Sequence, residues 1–109
     1  MNFSGKICVV TGGANGIGRC IAESFINAGA LVIVVDIDSE SGKRLSERYS
    51  SDKFYFFRAD IAEIGQLENF VNAVTHKFGK VDYLINNACI SRRGIISGCS
   101  YDDFNYVLR

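Results

Sequence analysis

Short apolar runs alternate along the chain with stretches in which apolar residues recur every three or four positions, the pattern of strands exchanging with helices. Ile7-Cys8-Val9-Val10 is an unbroken apolar run ending in Thr11-Gly12-Gly13, and it predicts a strand buried on both faces. Ile17, Ile21, Phe25 and Ala28 fall at helical spacing, with Gly29 as the stop. Leu31-Val32-Ile33-Val34-Val35 is the second and most strand-like run, with Asp36 at its carboxyl end. Ser39 is expected to cap a polar helix reaching Tyr49, and Phe54-Tyr55-Phe56-Phe57 gives a third strand ending at Ala59-Asp60. Leu67, Phe70, Val71, Val74 and Phe78 mark the apolar stripe of the next helix, which Gly79 ends. Residues 81–85 read as a fourth strand running into Asn86-Asn87-Ala88. Ser100 and Asp103 then resemble a capping pair for a last helix with Phe104, Val107 and Leu108 on one face.

This alternation implies right-handed crossovers and an α/β architecture, a doubly wound parallel sheet covered on both faces and expected in strand order 3-2-1-4. A ligand of such a sheet lies outside the carboxyl ends of the strands, where the strand order reverses. Residues 12–18, Asp36, Asp60 and residues 86–88 all fall at those ends.

Composition narrows the function classes. A chain of 109 residues supports one core. Twelve basic residues against twelve acidic ones leave no net field to recruit nucleic acid or an anionic membrane. No apolar run has the length of a membrane span, and the first residues lack a signal peptide's charged start and apolar core, so a cytoplasmic location is expected. Cys8, Cys20, Cys89 and Cys99 form no CxxC pair, and His76 stands alone. No metal site is expected, and the thiols are read as reduced and mostly buried.

The candidate chemistry begins in Thr11-Gly12-Gly13-Ala14-Asn15-Gly16-Ile17-Gly18. A strand that turns sharply into a helix facing a pyrophosphate needs glycine wherever a β-carbon would block the turn or the phosphate. Gly12 is assigned to the turn, Gly16 to close approach and Gly18 to helix–sheet packing. The bland alternative is a tight strand–helix turn that binds nothing. Against it stand the buried strand before the loop, the amphipathic helix after it, and an acid eighteen residues beyond Gly18. A phosphate loop of the Walker type is excluded, because Arg19 stands where a Lys followed by Ser or Thr is required.

These glycines form a TGxxxGxG pattern, and the chain resembles the N-terminal half of the classical short-chain dehydrogenase/reductase family, a Rossmann-type fold. Asp36 is similar to the family's acid after the second strand, Asp60-Ile61 to its adenine-contacting pair, and Asn86-Asn87-Ala88-Cys89 to its NNAG motif. Cys89 departs from the family's Gly and puts a side chain near the expected nicotinamide ribose. The resemblance implies backbone contacts to the cofactor's adenosine ribose and pyrophosphate from Gly12, Asn15, Gly16, Ile17 and Gly18. It implies that Asp36 and Ile37 flank the adenosine ribose, that Asp60 and Ile61 hold the adenine, and that Asn87 and Ala88 line the way to the nicotinamide. Asp60 as a mere helix cap and Asn87 as a sheet brace are the structural alternatives.

With Asp36 present, and with Asn15 and Ile37 where a 2′-phosphate would call for a basic residue, NAD is the expected cofactor and NADP the less favoured one. Arg19, Lys43 and Arg44 are the cations that could offset Asp36. The family's Tyr-x-x-x-Lys pair, its Ser and its helix Asn lie downstream of this segment, so no catalytic residue is assigned. Tyr49 and Lys53 have the right spacing but fall on the wrong side of the sheet. The expectation is the cofactor-binding half of an NAD-dependent oxidoreductase of alcohols and carbonyls, inactive by itself, its catalytic portion absent. A complete, non-catalytic dinucleotide-binding or interaction module is the alternative, while S-adenosylmethionine binding fits the glycine pattern and the NNA run poorly. A small alcohol or carbonyl is the expected substrate. Self-association is expected through an exposed fourth-strand edge or by helix exchange.

Overall fold

The side chains of residues 8–10 and 32–35 alternate between two packed faces, and this makes those two runs the centre of a sheet. The computed structural model describes residues 2–87; Ala88, Cys89, Cys99 and the helix expected after Ser100 lie outside them. In chain order the elements are β1 (Ile7–Thr11), α1 (Gly16–Asn27), β2 (Leu31–Asp36), α2 (Ser39–Arg48), β3 (Phe54–Arg58), α3 (Ile64–Phe78) and β4 (Tyr83–Asn86). The four strands are parallel in the order β3-β2-β1-β4, as the alternation requires.

Side-chain alternation along the central strands divides the core in two. Cys8, Val10, Val32 and Val34 face α1 and α2, where they meet Ala22, Ile26 and Leu45. Val9, Ile33 and Val35 face the opposite way and meet Phe70 and Val74 of α3 together with Ile61. Val32, Ile33 and Val34 are wholly buried. Each such side chain stabilises the fold by roughly 1.5–3 kcal/mol relative to exposure. The α3 crossover carries the chain from β3 at one border to β4 at the other, so the order reverses between β1 and β4. The β1–α1 turn opens at that reversal.

Two boundaries differ from expectation, each because an Asp carboxylate takes a backbone N–H. The cap of α2 is Asp38 rather than Ser39, its carboxylate accepting from Ser41 N at 3.1 Å. Pairing of β4 begins at Tyr83 rather than 81, because the Asp82 carboxylate accepts the Ile7 N–H at 2.8 Å in place of a ladder partner. That bond, supplemented by Lys80, holds the Asp82 carboxyl below its ordinary range. Cys20 is exposed on α1, whereas Cys8 is buried and its thiol is pushed up to about 11 by desolvation. On the far face α2 lies so close to β3 that a β-carbon at Gly42 would overlap the ring of Phe56.

Candidate dinucleotide-binding site

The loop between β1 and α1 fulfils three separate steric demands. Gly12 turns the chain at φ 65° while its N–H donates to Val35 O at 2.8 Å. Gly16 opens α1 at φ 58°, and its missing β-carbon would project into open space. Gly18 is buried, and a β-carbon there would overlap Gly12 O and lie 2.5 Å from Asn87 Nδ2. Gly13, which sequence reasoning left without a role, has the same constraint against Val34 Cγ2 at 2.8 Å. Residues 15–17 are exposed, with Ile17 at 74%. Asn15 occupies the N-cap of α1 but makes no side-chain cap bond. The first turn of α1 therefore presents backbone N–H groups to whatever lies outside it, the arrangement that suits a pyrophosphate.

Asp36, at the end of β2, faces this loop. Its Oδ2 accepts from Ala14 N at 3.1 Å and its Oδ1 from Asp38 N at 3.0 Å, so the carboxylate bridges the glycine loop and the start of α2. Ile37 is 55% exposed beside it. Asp38 is half-buried, and its Oδ2 accepts from Asn15 Nδ2 and from Ser41 Oγ, each at 2.7 Å. Arg44 Nη2 donates to the same Ser41 hydroxyl at 3.1 Å. The Ser41 hydroxyl and amide, then Asn15, hold the Asp38 carboxyl down at about 2. None of this network was read from the sequence. The single available signal was a second acid two residues after Asp36.

At the end of β3, Ala59 N donates to Asp36 O, which brings Asp60 alongside. Asp60 Oδ1 accepts from Ala62 N at 3.0 Å and closes a local turn, while α3 takes Glu63 as its N-cap. The Ile61 side chain is buried in the core, so only its backbone faces the site. At the end of β4, Asn87 Nδ2 donates to Gly12 O at 3.1 Å and Thr11 Oγ1 to Asn86 Oδ1 at 2.9 Å. Asn87 thus braces the sheet against the turn it also lines. Among the described residues, Asn86 Nδ2 is buried without a partner. The strand ends bring residues 12–18, Asp36, Ile37, Asp60 and Asn87 to one edge of the sheet, and Ala88 lies outside the described residues.

A glycine loop, a bridging acid and an Asn-Asn strand end now share one edge, and the short chain dehydrogenase family matches residues 6–109. The chain belongs to that family. Among short-chain dehydrogenases it is 38% identical over 106 residues to momilactone A synthase of Oryza sativa subsp. japonica, a match that covers 95% of this chain and 39% of that protein. It is 39% identical to the NAD(+) 15-hydroxyprostaglandin dehydrogenase of Bos taurus, over 84% of this chain and 36% of that one. The solved 2-keto-3-deoxy-D-gluconate dehydrogenase of Streptococcus agalactiae superimposes with a TM-score of 0.73 at 30% identity, covering 97% of this chain and 41% of its own. The Pseudomonas aeruginosa RhlG/NADP complex gives 0.74 at 31% identity, covering 83% and 37%. The chain therefore spans under half the length of these relatives.

Within the short-chain dehydrogenase frame, the Tyr49 and Lys53 spacing is a structural coincidence. The Tyr49 hydroxyl donates to Glu23 of α1, and that bond, followed by burial, raises the phenol, opposite to what a proton-transferring tyrosine needs. Glu23 also takes Arg19 at 3.0 Å and Arg48 at 3.6 Å, so Arg19 is engaged away from Asp36. A dinucleotide fits the donors that are present. Open space over Gly16 and uncapped N–H groups of α1 suit phosphate, and a carboxylate held by two backbone donors suits the hydroxyls of a ribose. Among the described residues no group of His, Cys, Asp and Glu could hold a metal ion.

Proposed function

We propose that this chain binds NAD in preference to NADP and forms the cofactor-binding half of an oxidoreductase acting on an alcohol or carbonyl group. The observation that carries this reading is Asp36, pinned by Ala14 N and Asp38 N with its charge at the ribose end of the site. A 2′-phosphate there would set like charges within about 4 Å, a repulsion of roughly 4 kcal/mol per charge pair at an effective dielectric near 20, before screening. Family membership does not make this choice, since one relative is named for NAD(+) and one solved structure is an NADP complex. Position 36 does.

Gly12, Gly16, Ile17 and Gly18 would receive the pyrophosphate through backbone N–H groups, and Asn15 would flank it. Asp36 would accept from the ribose hydroxyls, with Ile37 against the adenosine. Asp60 and the Ile61 backbone would hold the adenine, and Asn87 and Ala88 would line the passage to the nicotinamide. When bound, the nicotinamide accepts or gives the hydride. Orientation comes from this chain, while the proton-transferring Tyr and Lys come from further along a short-chain dehydrogenase. Losing a positioned base removes typically 10² to 10⁴ in rate, so the 109 residues alone are expected to bind NAD without turnover. Calorimetry with NAD and NADP tests the first half; equal or tighter NADP binding overturns it. NADH absorbance over a panel of alcohols and ketones tests the second, and turnover that survives Cys89→Ala overturns it. We place the protein in the cytoplasm, acting on a small-molecule substrate, without nucleic acid or membrane. Self-association through β4 or by helix exchange is its expected assembly, and a monodisperse monomer in light scattering counts against that.

A further inference from the structure

The two helices that open beside the candidate site differ at their N-termini. In α1 the N-cap residue, Asn15, makes no side-chain cap bond. In α2 the Asp38 carboxylate occupies the corresponding place, accepting from the amide and the hydroxyl of Ser41. A helix N-terminus attracts an anion through its N–H groups and dipole, so α2 already holds one of its own.

Asp38 also reaches out of α2. It takes the Asn15 amide, on the exposed rim of the glycine loop, at 2.7 Å. Arg44, the cation of α2 that points toward this end, is drawn to it through the Ser41 hydroxyl. Asp36 and Asp38 are joined directly, since Asp38 N donates to Asp36 Oδ1 at 3.0 Å. Beside Lys43, the groups that could welcome a 2′-phosphate are the residue at position 15, the N-terminus of α2 and Arg44. The first two are engaged directly by one carboxylate, and Arg44 is joined to it through the Ser41 hydroxyl.

We propose that Asp38 is a second specificity-determining residue for the dinucleotide, acting by holding position 15, the α2 N-terminus and Arg44 so that none of them can serve a 2′-phosphate. The inference rests on the NAD preference proposed above. It makes a claim that Asp36 alone does not: a cation introduced at position 15 is captured by Asp38 instead of by the cofactor. With its carboxyl held near 2, Asp38 is charged at any working pH.

The test is a double-mutant cycle on the full chain, with NAD and NADP titrated separately by calorimetry. Asp38→Asn removes the charge and keeps a good N-cap residue, and Asp38→Ser does the same with a different side chain. Removing the Asp38 charge should move the ratio of NADP to NAD affinity about tenfold toward NADP, and less at high salt. Asn15→Lys alone should move it by less than about threefold, its charge being spent on Asp38 as an exposed ion pair. Asn15→Lys with Asp38→Asn should exceed the product of the two single shifts. If the parent chain prefers NADP, the NAD reading fails first. If it prefers NAD, an unchanged ratio in both Asp38 variants overturns the role of Asp38. So does a full shift in Asn15→Lys alone, a variant that leaves the α2 cap untouched. Melting curves for each variant separate loss of the helix cap from loss of discrimination, because a merely structural Asp38 would weaken both cofactors equally.

Discussion

The two borders of the sheet are finished to different degrees. On β3, Phe54 is buried and the next three side chains are all covered. Tyr55 meets the Phe78 ring at 5.5 Å, Phe57 meets Phe70 at 5.3 Å, and Phe56 lies on the bare backbone of Gly42. On β4, Tyr83 is 40% exposed and Leu84 44%, with Val81 exposed just before them. A cavity of about 190 Å³ lies between α3 and this border, lined by Val71, Val74, Val81 and Leu84 among others. The Asp60 end of the site thus stands on a border that this chain closes with its own aromatic rings. The Asn87 end stands on one where Phe3 meets Tyr83 at 5.4 Å but Val81 and Leu84 stay exposed among the described residues.

The largest effect should come from the centre that both borders share. Ile33 is wholly buried, so Ile33→Ala should cost about 4 kcal/mol in urea unfolding, against less than about 1 kcal/mol for Leu84→Ala on the β4 border. Equal costs would show that β4 is as well covered as β2. Gly18→Ala comes next. Its methyl group would overlap Gly12 O and crowd Asn87, so a loss of about 2 kcal/mol is expected, along with weakened binding of NAD. Unchanged binding in that variant would mean that the turn does not shape the pyrophosphate site.

The smallest effect is that of acid. Asp38 is held near 2, whereas an unfolded Asp titrates at about 3.9. A depressed folded value contributes stability that is complete above the unfolded pKa and lost as pH falls through the folded one. The Asp38 contribution should therefore fade between about pH 4 and about pH 2, and that of Asp82, lowered mainly by the Ile7 N–H, should start to fade at the same upper limit. Urea midpoints measured down this range should fall less steeply in Asp38→Asn and in Asp82→Asn than in the parent chain. A parallel fall would remove the hydrogen bonds of both acids from the acid response.

The comparison also marks where the sequence was legible. β1 and β2 are built on unbroken apolar runs that end in Thr11 and Asp36, and a strand buried on both faces has little other way to be written. The positions of Asp36 and the glycine loop at the strand ends were legible because they are set by short-range spacing. Ile61 was less so: its place after Asp60 marks it as a cofactor neighbour, while its side chain is buried beside Phe70. The start of β4 was misplaced because Val81 looks like a strand residue, and nothing local shows that Asp82 will take an N–H from Ile7, 75 positions away. Asp38 escaped notice for the same reason. Asn15 is 23 positions before it, and Asp38 and Ser39 are both good cap residues on paper. The choice between them was made by Asp36, which holds Asp38 N.

Gly42 sits a helical turn beyond the site, yet it works as a spacer of zero thickness. With only a hydrogen there, α2 can rest on the Phe56 ring, and Asp38 rides at the tip of that helix. Any side chain at position 42 would act as a shim. Either the Phe56 ring would turn aside or the helix would lift from β3, and in the second case the carboxylate at its tip would shift relative to Asn15.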